Sequence, residues 1–537
     1  MAIRSVSVLA LFIPAALPLA GQEPAGFPPS QPYRAQLEQR GPVREIGLHD
    51  AIRTALAHNL EIEIENDGGE LSQAGTLGAL SYYDPVAGFS GSAMSSDLPV
   101  TNILQTGALG SLITKSWSLA PNIQQNLPGG GTASLTTSLT RSSTNSDYAI
   151  INPMYGATVG LTLTQPLWRG FRRTAAQRQI VVAQLNERLT ESQFRQKVAS
   201  VVEQVIGAYW RLAVTVEYYE AQRQARDVAV FQYEQTQARL QQGQETPLTL
   251  STQRSDLASH EQTLTEAAVQ IVQSSNALKR LLARGVMDPL WNVGLIASDR
   301  PGSPAPIIGL EEAVKTALQR RPELEQLRLQ LKQADADIRF DRQETKPAVN
   351  LRLEALSTGD AGAVYAASAV QAVSPVLDPS NPAFGGVGKS YSQAARFQHP
   401  SLAAGLDIKI PLRNRAAISQ LTTAVVGARK LQSQFEATQA DILVEVRNAW
   451  ESIAAQEKNV EAVSLSRRLA EERLAADTAK NGSAPQSLEI LGDRRDLADA
   501  GVRELQALID YRLSHVSLDK AMNTLVDEQE IVLARRK

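Results

Sequence analysis

Residues 172–242 read RRTAAQRQIVVAQLNERLTESQFRQKVASVVEQVIGAYWRLAVTVEYYEAQRQARDVAVFQYEQTQARLQQ, and this stretch decides the fold. It holds no proline, and Gly207 is its only glycine. Leu185, Leu189, Phe194, Val198, Val201, Val202, Val205, Tyr209 and Leu212 recur at the i, i+3, i+4, i+7 spacing of an amphipathic helix. At 1.5 Å per residue an unbroken helix here runs ~105 Å. Such a helix cannot wrap a compact core and must lie along other long helices. Residues 414–481 form a second proline-free stretch, with Gly427 as its only glycine.

Composition narrows the class. The chain has 537 residues and a net charge of −3, so no strong pull toward nucleic acid or anionic lipid follows from its overall charge. It has no cysteine, which excludes disulfides, thiolate metal sites and cysteine nucleophiles. Arg4, the apolar run from Val6 to Ala20 and the small pair Ala20-Gly21 predict a signal peptide over 1–21 and an exported protein. No later stretch offers the ~20 apolar residues of a transmembrane helix, so any membrane span is made of strands.

Moving outward, 22–45 reads as an extended linker. Short helices are expected from Leu48 and from Glu61. Between 85 and 167 Ser, Thr and Gly dominate and the period drops to two; Thr158 to Leu163 is the clearest strand. Weaker strands are expected near 109–119 and 132–139, and a further one after Pro85. Gly243 and Pro247 stop the long helix, and a return helix is expected over 247–283. A connector with four prolines spans 285–309. The order then repeats. Leu310 to Leu318 echoes Leu48 to Leu56, alternating strands are expected at 348–356 and 402–411, a Pro/Gly/Ser-rich loop covers about 357–400, and the second long helix, 414–481, ends at Asn481-Gly482 before a return helix over 488–523. The first repeat is 46–284, the second 310–525, and 526–537 is a tail.

Short strands with one apolar and one polar face suit a barrel wall between lipid and water. An open sheet edge is not tolerated in lipid, so several copies must share one barrel. In the last strand Leu406, Ile408 and Ile410 should face lipid, and Asp407 and Lys409 the lumen.

The chain resembles TolC-type outer-membrane efflux proteins. The resemblance rests on the paired Leu-x-x-Ala-x-x-x-Ala-Leu helix starts, the corners Gln165-Pro166-Leu167 and Ile410-Pro411-Leu412-Arg413-Asn414-Arg415, and the glycine tips. It implies a mostly α fold with β: duplicated long-helix hairpins forming a trimeric α-barrel tunnel continuous with a shared outer-membrane β-barrel. It implies four strands per protomer, although 97–154 is long enough for an added hairpin. It also implies a homotrimer in the outer membrane, reaching into the periplasm and contacting outer-membrane lipid. The expected partners are a periplasmic adaptor (membrane fusion) protein and an inner-membrane pump of RND or ABC type. The function it implies is an exit duct; the alternative is a structural coiled-coil protein of the cell envelope, a periplasmic spacer or adhesin stalk. By the same resemblance Glu489 and Asp493, which share a helix face, match the region of a pore constriction. Gly243, Gln244, Gly482 and Ser483 match the tips that meet the adaptor.

No enzyme, cofactor, metal or nucleic-acid partner is expected. His49, His58, His260, His399 and His515 are scattered. Asp335 and Asp337 read as solvated charge. Residues 383–390, AFGGVGKS, resemble a loose phosphate loop but follow a proline-rich segment, not a strand.

Overall fold

The structure is a computed structural model that describes residues 31–100, 110–146, 148–172, 174–300, 308–365, 376–480 and 488–528. The expected signal peptide, the tip residues Gly482 and Ser483 and most of the tail lie outside the described residues. The two long helices are Ala175–Gln241 and Arg415–Lys480, and their return helices are Pro247–Leu282 and Leu488–Met522. Strands are β1 (Val43–Ile46), β2 (Val86–Pro99), β3 (Ser111–Asn126), β4 (Thr132–Thr144), β5 (Ile151–Pro166), β6 (Gly294–Ala297), β7 (Ala348–Val364) and β8 (Pro400–Lys409). Among the described residues no helix is long and apolar enough to cross a membrane.

The chain divides into two compact units, and each takes residues from both sequence repeats. The first unit comprises Met1–His58, Gln204–Ala305 and Ser452–His515. Its core is built from Ile52, Tyr209, Leu212, Leu257, Ile271, Leu278, Leu282 and Leu295, all essentially fully buried. Here β1 pairs in parallel with β6, Val43 opposite Gly294 through Ile46 opposite Ala297. The Tyr209 hydroxyl donates to the Ile46 carbonyl at 3.1 Å and accepts from the Asp299 amide at 3.0 Å. Asp299 Oδ2 in turn accepts from the Leu48 amide at 2.6 Å, at the start of helix Leu48–His58. The expected linker over 22–45 is therefore corrected. Residues Tyr33–Arg40 are helical and 43–46 form a strand whose partner lies far along the chain, a pairing with no local signal.

The second unit comprises Asn59–Glu203, Pro306–Glu451 and Val516–Lys537. Val198, Val201 and Val202 of the first long helix, Ala313, Ala317, Leu324, Val446 and Leu518 form its buried helical part. Trp450 Nε1 donates to the Ile308 carbonyl at 3.1 Å. Ile308 lies two residues before helix Leu310–Arg320, as Ile46 lies two before Leu48, so Tyr209 and Trp450 play the same tethering part in the two repeats. The rest of the unit is one antiparallel sheet in the order β2-β3-β4-β5-β7-β8. Its six strands correct the expected four. The four came from the resemblance alone; all six strands fall where the sequence marks one, and the pair beyond four, β3 and β4, fills the 97–154 stretch that is long enough for an added hairpin. β7 also runs to Val364, and helix Val387–Ala395 follows, where a featureless loop was expected.

Candidate channel wall and periplasmic end

The register sorts the sheet into two faces. Directly opposed residues share a face, and side chains alternate along each strand. One row crosses all six strands: Leu402, Ala355, Leu161, Leu135, Ile123 and Ala87. Rows on either side add Leu353 with Leu163, and Ala157 with Leu139 and Leu119. One residue along, the opposite face reads Glu354, Thr162, Ser134 and Gln124, then Thr358, Thr158 and Ser138. The apolar face is open: Leu161 is 52% exposed, Ile123 50% and Leu402 78%. A wide exposed apolar band backed by hydroxyls is what a wall between hydrocarbon and a wet lumen requires.

Aromatic residues mark both margins of the band. Tyr82 and Tyr83 precede β2, and Trp168 and Phe171 follow β5, at the end where the long helix begins. At the other end one row of the apolar face holds Tyr155, Arg141 and Trp117. Such paired girdles flank membrane barrels. The helix-side margin is fastened by the corner seen in the sequence. Gln165 Nε2 donates to the Gly129 carbonyl at 3.0 Å, and the Arg172 amide donates to the same oxygen at 3.1 Å. Gly130 has φ +86°, and a Cβ there would collide with the Gly170 carbonyl, so the turn between β3 and β4 needs glycine.

Leu406 and Ile408 lie opposite Leu351 and Val349 on the apolar face, and Asp407 lies opposite Asn350 on the other. All of β8 is exposed; Ile410 falls one residue beyond its end. Helix Val387–Ala395 was not foreseen. It lies over Ser357, Gly359 and Ala361 of β7 and Ala157 of β5, all on the apolar face, and buries its own Ser390 and Ala394. A Cβ on Gly359 would run into the Ser390 carbonyl and the Ala394 amide. The phosphate-loop resemblance of 383–390 dissolves here: Lys389 Nζ donates to the Phe384 carbonyl at 3.0 Å, capping its own loop.

At the first hairpin tip the chain turns at Gly243, φ +73°, and the Gln244 amide donates to the Arg239 carbonyl at 2.9 Å. This is a glycine-closed helix end. Thr246 caps the return helix by accepting from the Thr249 amide at 3.2 Å, and Leu248 beside the tip is 78% exposed. On the second hairpin, Asp493 is only 2% exposed, and Arg473 of the long helix forms an ion pair with it at 3.0 Å. Burial, and then its hydrogen bond with Asp477, push the Asp493 carboxyl above the usual range, while Arg473 pulls it down. Asp477 is held below the usual range, first by that hydrogen bond and then by Lys480. Within the protomer Asp493 thus binds helix to helix and leaves Glu489, one turn nearer the tip, as the other acid of the expected constriction. Sequence alone could not show this, because Arg473 is a tertiary partner. No group of three His or acidic residues that could hold a metal occurs among the described residues.

A six-stranded antiparallel sheet with one apolar and one hydroxyl face, running directly into long helices, defines a TolC-type fold. Solved channels share that fold. CmeC of Campylobacter jejuni is 15% identical, with 91% of this chain and 90% of that chain covered and a TM-score of 0.61. VceC of Vibrio cholerae is 17% identical, covering 91% and 97%, with a TM-score of 0.56. The open state of MtrE of Neisseria gonorrhoeae is 17% identical, covering 89% of each, with a TM-score of 0.55. A comparison with curated proteins finds no match. Residues 92–284 match the model of the outer membrane efflux protein family, and the chain as a whole is similar in fold to these solved channels.

Proposed function

We propose that three copies of this chain close one barrel and one helical tunnel, forming an exit duct fed by a periplasmic adaptor and an inner-membrane pump. The carrying observation is that, among the described residues, neither edge of the sheet, β2 or β8, has a further strand beside it while its apolar face is exposed. Lipid does not tolerate open edges, so further copies must supply the missing strands. The long helix Arg415–Lys480 supports this. Its exposed apolar residues Ile418, Val425, Val426, Leu443, Val444, Leu465 and Leu469 fall within an arc of roughly 100° at 3.6 residues per turn, a stripe suited to a neighbouring helix. Gly243 and Gln244, with exposed Leu248 beside them, are the surface offered to the adaptor, together with Gly482 and Ser483. Glu489 from each copy lines the periplasmic constriction, and Asp493 holds the hairpin that carries it.

Mass measurement of the detergent-solubilised full chain should give a trimer, and planar bilayers should show a cation-preferring channel whose preference weakens in Glu489→Gln. A monodisperse monomer with native circular dichroism overturns the assembly. Unchanged selectivity in Glu489→Gln overturns the constriction.

A further inference from the structure

The upper margin of the apolar face carries two cations that the duct reading does not use. Arg141 sits between Trp117 and Tyr155 in one cross-strand row, with its guanidinium 6.0 Å from the centre of the Tyr155 ring. Lys115 lies two residues from Trp117 on the same strand and face, opposite Ser143. That makes Lys115 and Arg141 diagonal neighbours, roughly 7–8 Å apart at the backbone and within joint reach of one anion. Both stand directly above Leu119 and Leu139, while Ala157, the third residue of that row, lies under helix Val387–Ala395. Neither makes a salt bridge among the described residues; the one carboxylate on this face of the sheet's described strands, Asp97, is opposite Ile113 and diagonal to Lys115, and none stands beside Arg141. Lys115 is exposed and Arg141 half-exposed.

A lone cation beside hydrocarbon is costly unless it reaches the headgroup layer and an anion there. A guanidinium resting on an aromatic ring keeps its N–H fork at its edge, shaped for bidentate contact with phosphate, and the nearby ammonium adds a second, flexible charge. Apolar rows beneath supply the surface on which acyl chains lie. We propose that Lys115 and Arg141, framed by Trp117 and Tyr155, bind the phosphate of an acylated, phosphorylated glycolipid in the outer leaflet. The pattern favours a lipid over a free phosphate, because the cations lie at the margin of an exposed apolar wall and not in an enclosed polar pocket. The proposal rests on the apolar face being the lipid face.

The test uses the full chain purified in a non-ionic detergent, with diphosphoryl lipid A as the probe and native mass spectrometry to count lipid retained. The wild type should retain the lipid at least tenfold better than the Lys115→Gln/Arg141→Gln double variant. It should retain a dephosphorylated lipid A no better than that variant retains the diphosphoryl form. Arg352→Gln, on the hydroxyl face, should behave as wild type. Equal retention by wild type and double variant overturns the proposal, as does equal retention of the dephosphorylated lipid. Displacement of bound lipid A by millimolar inorganic phosphate alone overturns the choice of a lipid. Should the double variant fail to assemble, Lys115→Gln alone, at an exposed position outside the aromatic row, should still lower retention severalfold, and no change refutes the site. Failure of the wild type to insert into bilayers would overturn the membrane assignment itself, whereas normal insertion with unchanged retention overturns only the phosphate site.

Discussion

Leu161→Arg tests the membrane wall at its middle. Leu161 lies in β5 with Leu135 and Ala355 as its direct cross-strand neighbours. Six residues along β5 separate it from Tyr155 of the upper aromatic row, and seven from Trp168 at the lower margin. At ~3.4 Å per residue and a ~45° tilt, these spans are roughly 14 and 17 Å, which puts Leu161 near the midplane of the apolar band. An arginine there costs ~2–4 kcal/mol, falling to ~0–1 near the interfaces. At 1.4 kcal/mol per decade, each protomer should favour the assembled state less by roughly 30- to 700-fold. Thr162→Arg, one residue along on the hydroxyl face, should be nearly neutral. Ile408→Arg, opposite Val349 close to the lower margin, should cost little although its residue is as exposed as Leu161. The assay is the yield of heat-resistant oligomer in outer-membrane fractions at matched expression. If Thr162→Arg fails as badly as Leu161→Arg, or if Ile408→Arg costs as much as Leu161→Arg, the assignment of faces or of depth is wrong.

Gly359→Val should lift helix Val387–Ala395 off the sheet, because the Ser390 carbonyl and Ala394 amide occupy the space of the new side chain; trypsin added to whole cells should then cut after Lys389 or Arg396 faster than in wild type. Tyr209→Phe removes the hydroxyl that serves both Ile46 and Asp299, and should destabilise by about 1 kcal/mol, read as a lowered melting temperature in detergent, because the Asp299 amide loses its acceptor while the Ile46 carbonyl keeps the Ser298 amide and hydroxyl. Asp493→Asn should flatten a pH dependence. Burial raises the native carboxyl above the unfolded value of about 3.9, so the native state binds the proton more tightly and loses that stabilisation as pH rises through the native value. Hydrogen exchange across Leu488–Met522 should therefore quicken with pH more in wild type than in Asp493→Asn, after correction for intrinsic exchange.

The long helices are readable in sequence because a proline-free amphipathic stretch has few other structures open to it. The wall is harder to read. Thr158 to Leu163 shows clean alternation, but in β2 the apolar face is Ala87, Phe89, Gly91 and Ala93, too small to stand out against Ser90 and Ser92 on the other. Its sidedness appears only once the register lines Ala87 up with Ile123, Leu135 and Leu161. The same holds for the site residues. Leu406 and Ile408 announce themselves by alternation, whereas the burial of Asp493 depends on Arg473, and the juxtaposition of Lys115 with Arg141 depends on strand pairing. The repeat shows the opposite limit. Tyr209 and Trp450 stand at matching places in two helices of different sequence and differ in chemistry, yet each donates one hydrogen bond to the carbonyl two residues before its repeat's first helix. What duplication has kept there is a donor at a fixed point on a long helix. Either ring system can supply it, because the acceptor is a backbone carbonyl. Conserving the tether therefore does not require conserving the residue, which is why the helix starts announce the repeat in sequence and its fastening shows only in three dimensions.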